Sequence, residues 1–153
     1  MQLRYFNQPH FENGSLKLIS QVLKEQGITK PLICTDPGLV AIGMTDKIRN
    51  LLSNELSPTF YTQTPANPTE QAVNDALELY KQNSCDGVVG FGGGSSMDLA
   101  KAVALMANHE GNVVDYSVNE GGTGKIQETV PTVAIPTTSG TGSEVSLGAV
   151  IIM

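Results

Sequence analysis

Along the chain, short apolar runs alternate with longer segments in which apolar residues recur every three or four positions. The longer segments predict amphipathic helices, and they cover residues 15–26, 39–52, 67–83 and 95–107. The short runs predict strands, and they cover residues 3–6, 31–34, 58–61, 87–90 and 132–135. Strands that alternate with helices indicate βαβ units, because a parallel crossover takes about a dozen residues or more. We therefore expect an α/β fold with a mainly parallel sheet and helices on both faces.

The connection after the fourth predicted strand is rich in glycine. Four of the five residues 90–94 are glycine, and two serines follow before the helical pattern begins. We call residues 90–96 the glycine turn. Glycine lets a ligand approach the backbone closely, and the free N–H groups and the dipole of the following helix favour an anion. A connection that binds nothing is the alternative, but the entropic cost of so many glycines favours a phosphate site.

A second polar loop follows the last predicted strand. Residues 136–144, which we call the threonine loop, begin with proline and carry five hydroxyl side chains among residues 137–143, with two glycines between them. Hydroxyl donors beside open backbone suit contact with a polar ligand. The alternative is a flexible surface loop, but Pro136 stiffens its start. Because ligands of parallel sheets collect at the carboxyl ends of the strands, we expect both loops to border one crevice.

Asp36 follows the strand at residues 31–34 and reaches the same sheet edge. A carboxylate in that position can hold an adenosine ribose through its hydroxyls and repel a 2′-phosphate, which favours NAD over NADP. The alternative is that Asp36 only opens the turn formed with Pro37 and Gly38. In the helix after the glycine turn, Asp98 is interpreted as favouring the helix start. Lys101, one turn further, is interpreted as a solvated surface lysine; the alternative is that it reaches a phosphate.

Composition narrows the classes of partner. The formal net charge is −6 and the basic residues are scattered, which disfavours nucleic acid and anionic membrane surfaces. We find no signal peptide and no apolar run long enough to span a membrane, so we expect a cytoplasmic protein. Cys34 and Cys85 are expected to be reduced and buried. His10 and His109 lack the spacing of metal ligands, so we expect no metal site built wholly within the chain.

Taken together, residues 92–101 and 136–144 resemble the iron-containing (group III) alcohol dehydrogenases, and residues 35–39 and 64–69 are similar to that family too. The resemblance covers essentially the whole chain and matches the N-terminal, Rossmann-like nucleotide-binding half. It implies that the glycine turn holds the NAD(P) pyrophosphate, that the threonine loop contacts the cofactor, and that Asp36 governs the choice of NAD over NADP. The cofactor-binding residues so implied are Asp36, Asn67, Gly93, Gly94, Ser95, Ser96, Thr137, Thr138 and Thr141.

The resemblance also says what this chain lacks. In that family Fe²⁺ or another divalent metal is held by a following all-helical domain, none of whose ligands is present here. We therefore assign no catalytic and no metal-binding residue. Residues 1–153 are expected to be the dinucleotide-binding domain of a longer two-domain enzyme that acts on a small alcohol or aldehyde and forms a homo-oligomer, without nucleic-acid or membrane partners. The alternative is a free-standing nucleotide-binding or sensing module; the apolar run at residues 150–153 favours the fragment.

Overall fold

The computed structural model describes residues 7–153, and the strand predicted at residues 3–6 lies outside them. Four strands form one fully parallel sheet in the order β2-β1-β3-β4. They are β1 (Pro31–Cys34), β2 (Thr59–Tyr61), β3 (Gly87–Gly92) and β4 (Thr132–Pro136). The parallel sheet and these four predicted strands are confirmed.

Within residues 7–153, five α-helices connect or flank the strands. They are α1 (Ile19–Glu25), α2 (Pro37–Ala41), α3 (Met44–Leu51), α4 (Glu70–Gln82) and α5 (Gly94–Ala107), with short 3₁₀ turns at Ser15–Leu18, Val113–Tyr116 and Gly122–Lys125. The prediction of one helix over residues 39–52 was wrong. Gly43 adopts a left-handed conformation (φ 75°) that ends α2 and begins α3, because glycine enters this region without the steric cost of a Cβ.

Two further segments lie outside the main sheet. Gly122 is buried, and a Cβ there would collide with the backbone of Asp115. The apolar run at residues 150–153 forms no strand of the main sheet; Ile152 makes a single parallel bridge to Thr69. Both segments are therefore held by close packing or by isolated bonds rather than by regular sheet pairing.

The core is divided between the two faces of the sheet. Alternate strand residues point to opposite faces, so Leu32 and Val88 pack with α4 and α5, whereas Ile33 and Val89 pack with α1 and α3. All four of these side chains are fully buried. The expected arrangement with helices on both faces is confirmed.

The strand order reverses between β1 and β3. From β1 the chain first adds β2 on one side and then crosses back to add β3 on the other. The connections that leave β1 and β3 therefore diverge to opposite faces and open a crevice at their carboxyl ends, which is where ligands of open α/β sheets bind. Asp36 and the glycine turn are the segments that leave these two strands.

Candidate functional site

The N-terminus of α5 opens into this crevice without a side-chain cap. Gly93 is the N-cap residue in an extended conformation (φ −76°, ψ −170°), and no acidic residue lies in the first turn. The first backbone hydrogen bond of the helix runs from Met97 N to Gly93 O at 3.2 Å. The first N–H groups of a helix have no partner within it, so those of residues 94–96 are free to donate hydrogen bonds to an anion. The helix dipole also favours negative charge there.

Close packing explains why the glycine turn contains glycine. A Cβ at Gly90 would lie 2.7 Å from Met97 Cα, so a larger residue would push α5 away from β3. A Cβ at Gly92 would lie 2.5 Å from Ser96 Oγ and 3.2 Å from Asp36 Oδ2. Because Gly92 has no side chain, the side chains of Ser96 and Asp36 can both lie close to its backbone in the crevice.

Ser96 has an unusual environment. Its side chain is 1% exposed, and its Oγ has no hydrogen-bond partner among the described residues. A buried hydroxyl without a partner is costly, so this one fits a site in which a polar ligand completes its hydrogen bonding. The prediction did not distinguish Ser96 from Ser95, whose Oγ donates to the carbonyl oxygen of Ala66.

The threonine loop packs directly on the glycine turn, as the sequence predicted. Its backbone begins with a 2.9 Å hydrogen bond from Thr137 N to Gly92 O. Thr138 Oγ1 lies 3.3 Å from the position of a Cβ on Gly93, and Thr141 Cβ lies 3.4 Å from that of a Cβ on Gly94. The three threonine side chains remain exposed. The two loops therefore form facing walls, with hydroxyl groups available to a ligand.

Asp36 lies at the other side of the crevice and caps a helix. Its Oδ1 accepts a 3.0 Å hydrogen bond from Leu39 N at the start of α2. Its Oδ2 lies toward Gly92, and the side chain is half-buried. The turn-forming role is thus observed, while one carboxylate oxygen still faces the crevice. A role in binding ribose stays a prediction.

Asn67 belongs to a segment that is joined to the same crevice. Asn67 itself is exposed. The segment reaches the glycine turn through the Ser95–Ala66 hydrogen bond and reaches β1 through Thr64 N, which donates to Thr35 O at 3.2 Å. The structure therefore brings eight of the nine predicted residues to the edge formed by the ends of β1, β3 and β4, and Asn67 follows Ala66, which is bonded to that edge.

The interpretation of Lys101 as a solvated lysine was wrong. Its side chain is 16% exposed, and its Nζ donates to Asp98 Oδ1 at 3.1 Å and to Gly148 O at 2.6 Å. Asp98 also accepts hydrogen bonds from the Ser143 hydroxyl and from Val150 N. The available sequence signal was the Asp–Lys pair at i,i+3 on one helix, but their distant backbone partners have no signature in the sequence.

The two cysteines and His109 are held in contacts that stabilise the fold. Cys34 and Cys85 are buried free cysteines, as expected, and burial raises the pKa of both thiols above the ordinary range. His109 Nδ1 lies 2.7 Å from Leu105 O and its Nε2 accepts from Gln127 N at 2.8 Å, which is the pattern of a neutral ring that holds two backbone segments together.

Residues 7–153 contain neither a metal-ligand cluster nor a membrane-spanning helix. No group of three or more His, Cys, Asp or Glu side chains is arranged to hold a metal ion in this part of the chain. Among the helices of the same residues, none has the length and apolar character needed to cross a bilayer.

Fold and crevice together define a Rossmann-like domain with an uncapped helix N-terminus at its topological switch point. The family model for iron-containing alcohol dehydrogenases matches residues 7–153, and the chain belongs to that family. This finding confirms the resemblance drawn from the two loops.

Relatives and solved structures agree with this membership. The chain is 42% identical to a 4-hydroxybutyrate dehydrogenase of Cupriavidus necator, over 97% of this chain and 39% of that protein. It is 37% identical to an NAD-dependent methanol dehydrogenase of Bacillus methanolicus, over 90% of this chain and 36% of that protein. The crystal structure of a sulfoacetaldehyde reductase from Bifidobacterium kashiwanohense in complex with NAD⁺ superposes with a TM-score of 0.79 at 32% identity, covering 95% of this chain and 39% of that one. The chain thus spans less than two fifths of the length of each.

Proposed function

We propose that residues 1–153 form the dinucleotide-binding domain of an NAD-dependent alcohol dehydrogenase, which interconverts an alcohol and an aldehyde or ketone. The observation that carries the proposal is the uncapped N-terminus of α5, which opens at the switch point between β1 and β3 beneath the threonine loop. The complex of a similar reductase with NAD⁺ and the NAD dependence of a similar methanol dehydrogenase support the choice of cofactor.

The pyrophosphate would lie against the first turn of α5. Gly93 and Gly94 leave the backbone N–H groups accessible, and the dipole of the helix stabilises the negative charge. Ser96 supplies a buried hydroxyl that is free to donate, and Ser95 contributes its backbone N–H while its hydroxyl holds Ala66. The two adjacent serines thus have different roles, because the Ser95 hydroxyl is already bonded to Ala66 whereas the Ser96 hydroxyl has no partner among the described residues.

The rest of the cofactor would lie between the threonine loop and the two segments that face it. Thr137, Thr138 and Thr141 offer exposed hydroxyl groups, and Asn67 lines the crevice from the segment after β2. Asp36 Oδ2 would accept from a ribose hydroxyl, because Oδ1 already accepts from Leu39 N. The negative charge of Asp36 disfavours a 2′-phosphate, so NAD is preferred to NADP.

Residues 7–153 would bind and orient the cofactor, and none of them is assigned to the chemical step. When bound, the oxidised cofactor would accept a hydride from the alcohol carbon. The described residues do not fit the family's divalent metal, because no suitable cluster of ligands exists among residues 7–153. The ligands would therefore come from the remaining length that similar dehydrogenases possess, and no catalytic step is assigned to metal ligands of this chain.

We further propose a homo-oligomeric, cytoplasmic protein that takes a small alcohol or aldehyde and binds neither nucleic acid nor membrane. The net charge of −6 supports the last point, since polyanions repel an acidic protein. The exposed apolar side chains of Val145, Leu147 and Val150 support an interface with further protein surface.

The test is calorimetric titration of NAD into the protein and its Gly94→Val variant. Valine would extend beyond a Cβ that already lies 3.4 Å from Thr141, so it would fill the entrance to the helix N-terminus and abolish binding. Gly124→Val is the matched control, because a Cβ at Gly124 meets nothing within 4 Å. Unchanged NAD affinity in a folded Gly94→Val variant would contradict the pyrophosphate assignment.

A further inference from the structure

Asp98 is the centre of a polar cluster outside the nine predicted site residues. Its side chain is 14% exposed and accepts from Lys101 Nζ at 3.1 Å, from Val150 N at 3.0 Å and from the Ser143 hydroxyl. Lys101 Nζ also donates to Gly148 O at 2.6 Å. We call these five residues the Asp98 clasp. It joins one face of α5 to the segment that follows the threonine loop.

The segment held by the clasp, residues 145–150, has little apolar anchorage of its own, and Ile151 beyond it packs against the core. Val145, Leu147 and Val150 are 66%, 79% and 75% exposed. Its hydrogen bonds outside the clasp are mostly local, such as the one that Val145 N donates to Gly142 O at 3.2 Å. Just before it, Asn7 Nδ2 donates an exposed hydrogen bond to Glu144 O at 3.0 Å. The low exposure of Asp98 and Lys101 makes each charge depend on the other, because a buried charge without a partner is strongly destabilising. The clasp is therefore the main attachment of this segment to α5.

The clasp also fixes the far end of the threonine loop. The loop is attached at its start by Thr137 N to Gly92 O and at its end by the Ser143 hydroxyl to Asp98. Both attachment points belong to the same unit, β3 followed by α5. With both ends fixed to that unit, Thr138 and Thr141 are held against Gly93 and Gly94.

From this geometry we infer that Asp98 is a positioning residue for the cofactor: through Ser143 it holds the threonine loop over the helix N-terminus. The inference rests on the proposed binding of NAD at that terminus. A loop that is released at one end must be ordered again when the cofactor binds, and this ordering cost appears as weaker affinity. Lys101 acts on the same loop by keeping the Asp98 carboxylate paired.

The test compares Ser143→Ala with Ser146→Ala in NAD titrations. Ser146 is an exposed serine of the same segment whose hydroxyl accepts only from Gly148 N, so it is the matched control. Loss of a hydrogen bond to a charged group weakens NAD binding about tenfold in Ser143→Ala, while Ser146→Ala binds as the unmodified protein does. Asp98→Asn has an effect at least as large. Combining Asp98→Asn with Ser143→Ala adds little to Asp98→Asn alone, because both changes break one connection.

Amide hydrogen exchange gives a second, independent readout. Ser143→Ala accelerates exchange at residues 137–148 and leaves α4 unchanged, whereas Ser146→Ala changes neither. Ser143→Thr, which keeps the hydroxyl, restores slow exchange and NAD affinity. Additive effects of Asp98→Asn and Ser143→Ala, or faster exchange with unchanged affinity, would overturn the positioning role. If the unmodified protein binds no NAD, the proposed function and the positioning role both fail, and exchange still decides whether the clasp holds the loop.

Discussion

Replacement of Asp36 separates the two functions that the sequence left open for this residue. Asp36→Ala removes both the helix cap and the charge, whereas Asp36→Ser removes the charge but keeps an oxygen that can cap α2. The carboxylate accepts from Leu39 N at 3.0 Å, and loss of such a cap costs about 1 kcal/mol. We expect Asp36→Ala to lose about that free energy of unfolding and Asp36→Ser to lose much less.

The effect on cofactor choice follows from charge. Two like charges about 4 Å apart repel by about 4 kcal/mol at an effective dielectric constant of about 20. Because Asp36 is half-buried, solvent and salt screen part of this repulsion. We therefore expect both variants to bind NADP at least about tenfold better relative to NAD than the unmodified protein does. The gain shrinks as salt is added.

Calorimetric titration of NAD and NADP gives the affinity ratio, and urea unfolding gives the stability of each variant. Improved NADP binding in both variants, with lower stability only in Asp36→Ala, establishes two separate functions. A ratio unchanged in both variants, alongside a stability loss in Asp36→Ala, would refute the specificity argument and leave Asp36 as a helix cap.

Two further predictions concern groups outside the crevice. Burial by itself would raise the pKa of the Asp86 carboxyl. Hydrogen bonds from Thr29 and Lys30 outweigh this effect and hold the pKa below its ordinary value. Asp86 therefore stabilises the fold at neutral pH, and this contribution is lost as the pH falls through the lowered pKa. We expect the free energy of unfolding to depend less steeply on pH in the acid range in Asp86→Asn than in the unmodified protein. Asp75→Asn, at an exposed position, is the control. Burial raises the pKa of Cys34 and Cys85, so an aromatic disulfide reagent labels neither thiol in the native protein at neutral pH and labels both in urea; rapid labelling without urea would argue against their burial.

The sequence predicted the features that local chemistry determines. Short apolar runs identified the four described strands, of which β1 and β3 are buried along their whole length. The glycine turn was evident because its glycines lie directly at the end of a predicted strand. The single helix predicted at residues 39–52 failed because apolar spacing does not register the left-handed backbone of Gly43. The difference between Ser95, whose hydroxyl is bonded, and Ser96, whose hydroxyl is not, depends on the position of Ala66, which no local pattern contains.

The crevice and the core are held together by different forces, and this has a functional consequence. Apolar burial on both faces stabilises the sheet, whereas the loops around the switch point are joined by single polar bonds such as Ser95 to Ala66, Thr137 to Gly92 and Ser143 to Asp98. Each such bond contributes on the order of 1 kcal/mol, which is a small part of the stability of a domain but changes the dissociation constant of a ligand about fivefold. Loss of one of them should therefore change cofactor binding before it unfolds the protein, since loops of this kind open locally at low free energy. Substitutions in the core, by contrast, should alter stability and binding together.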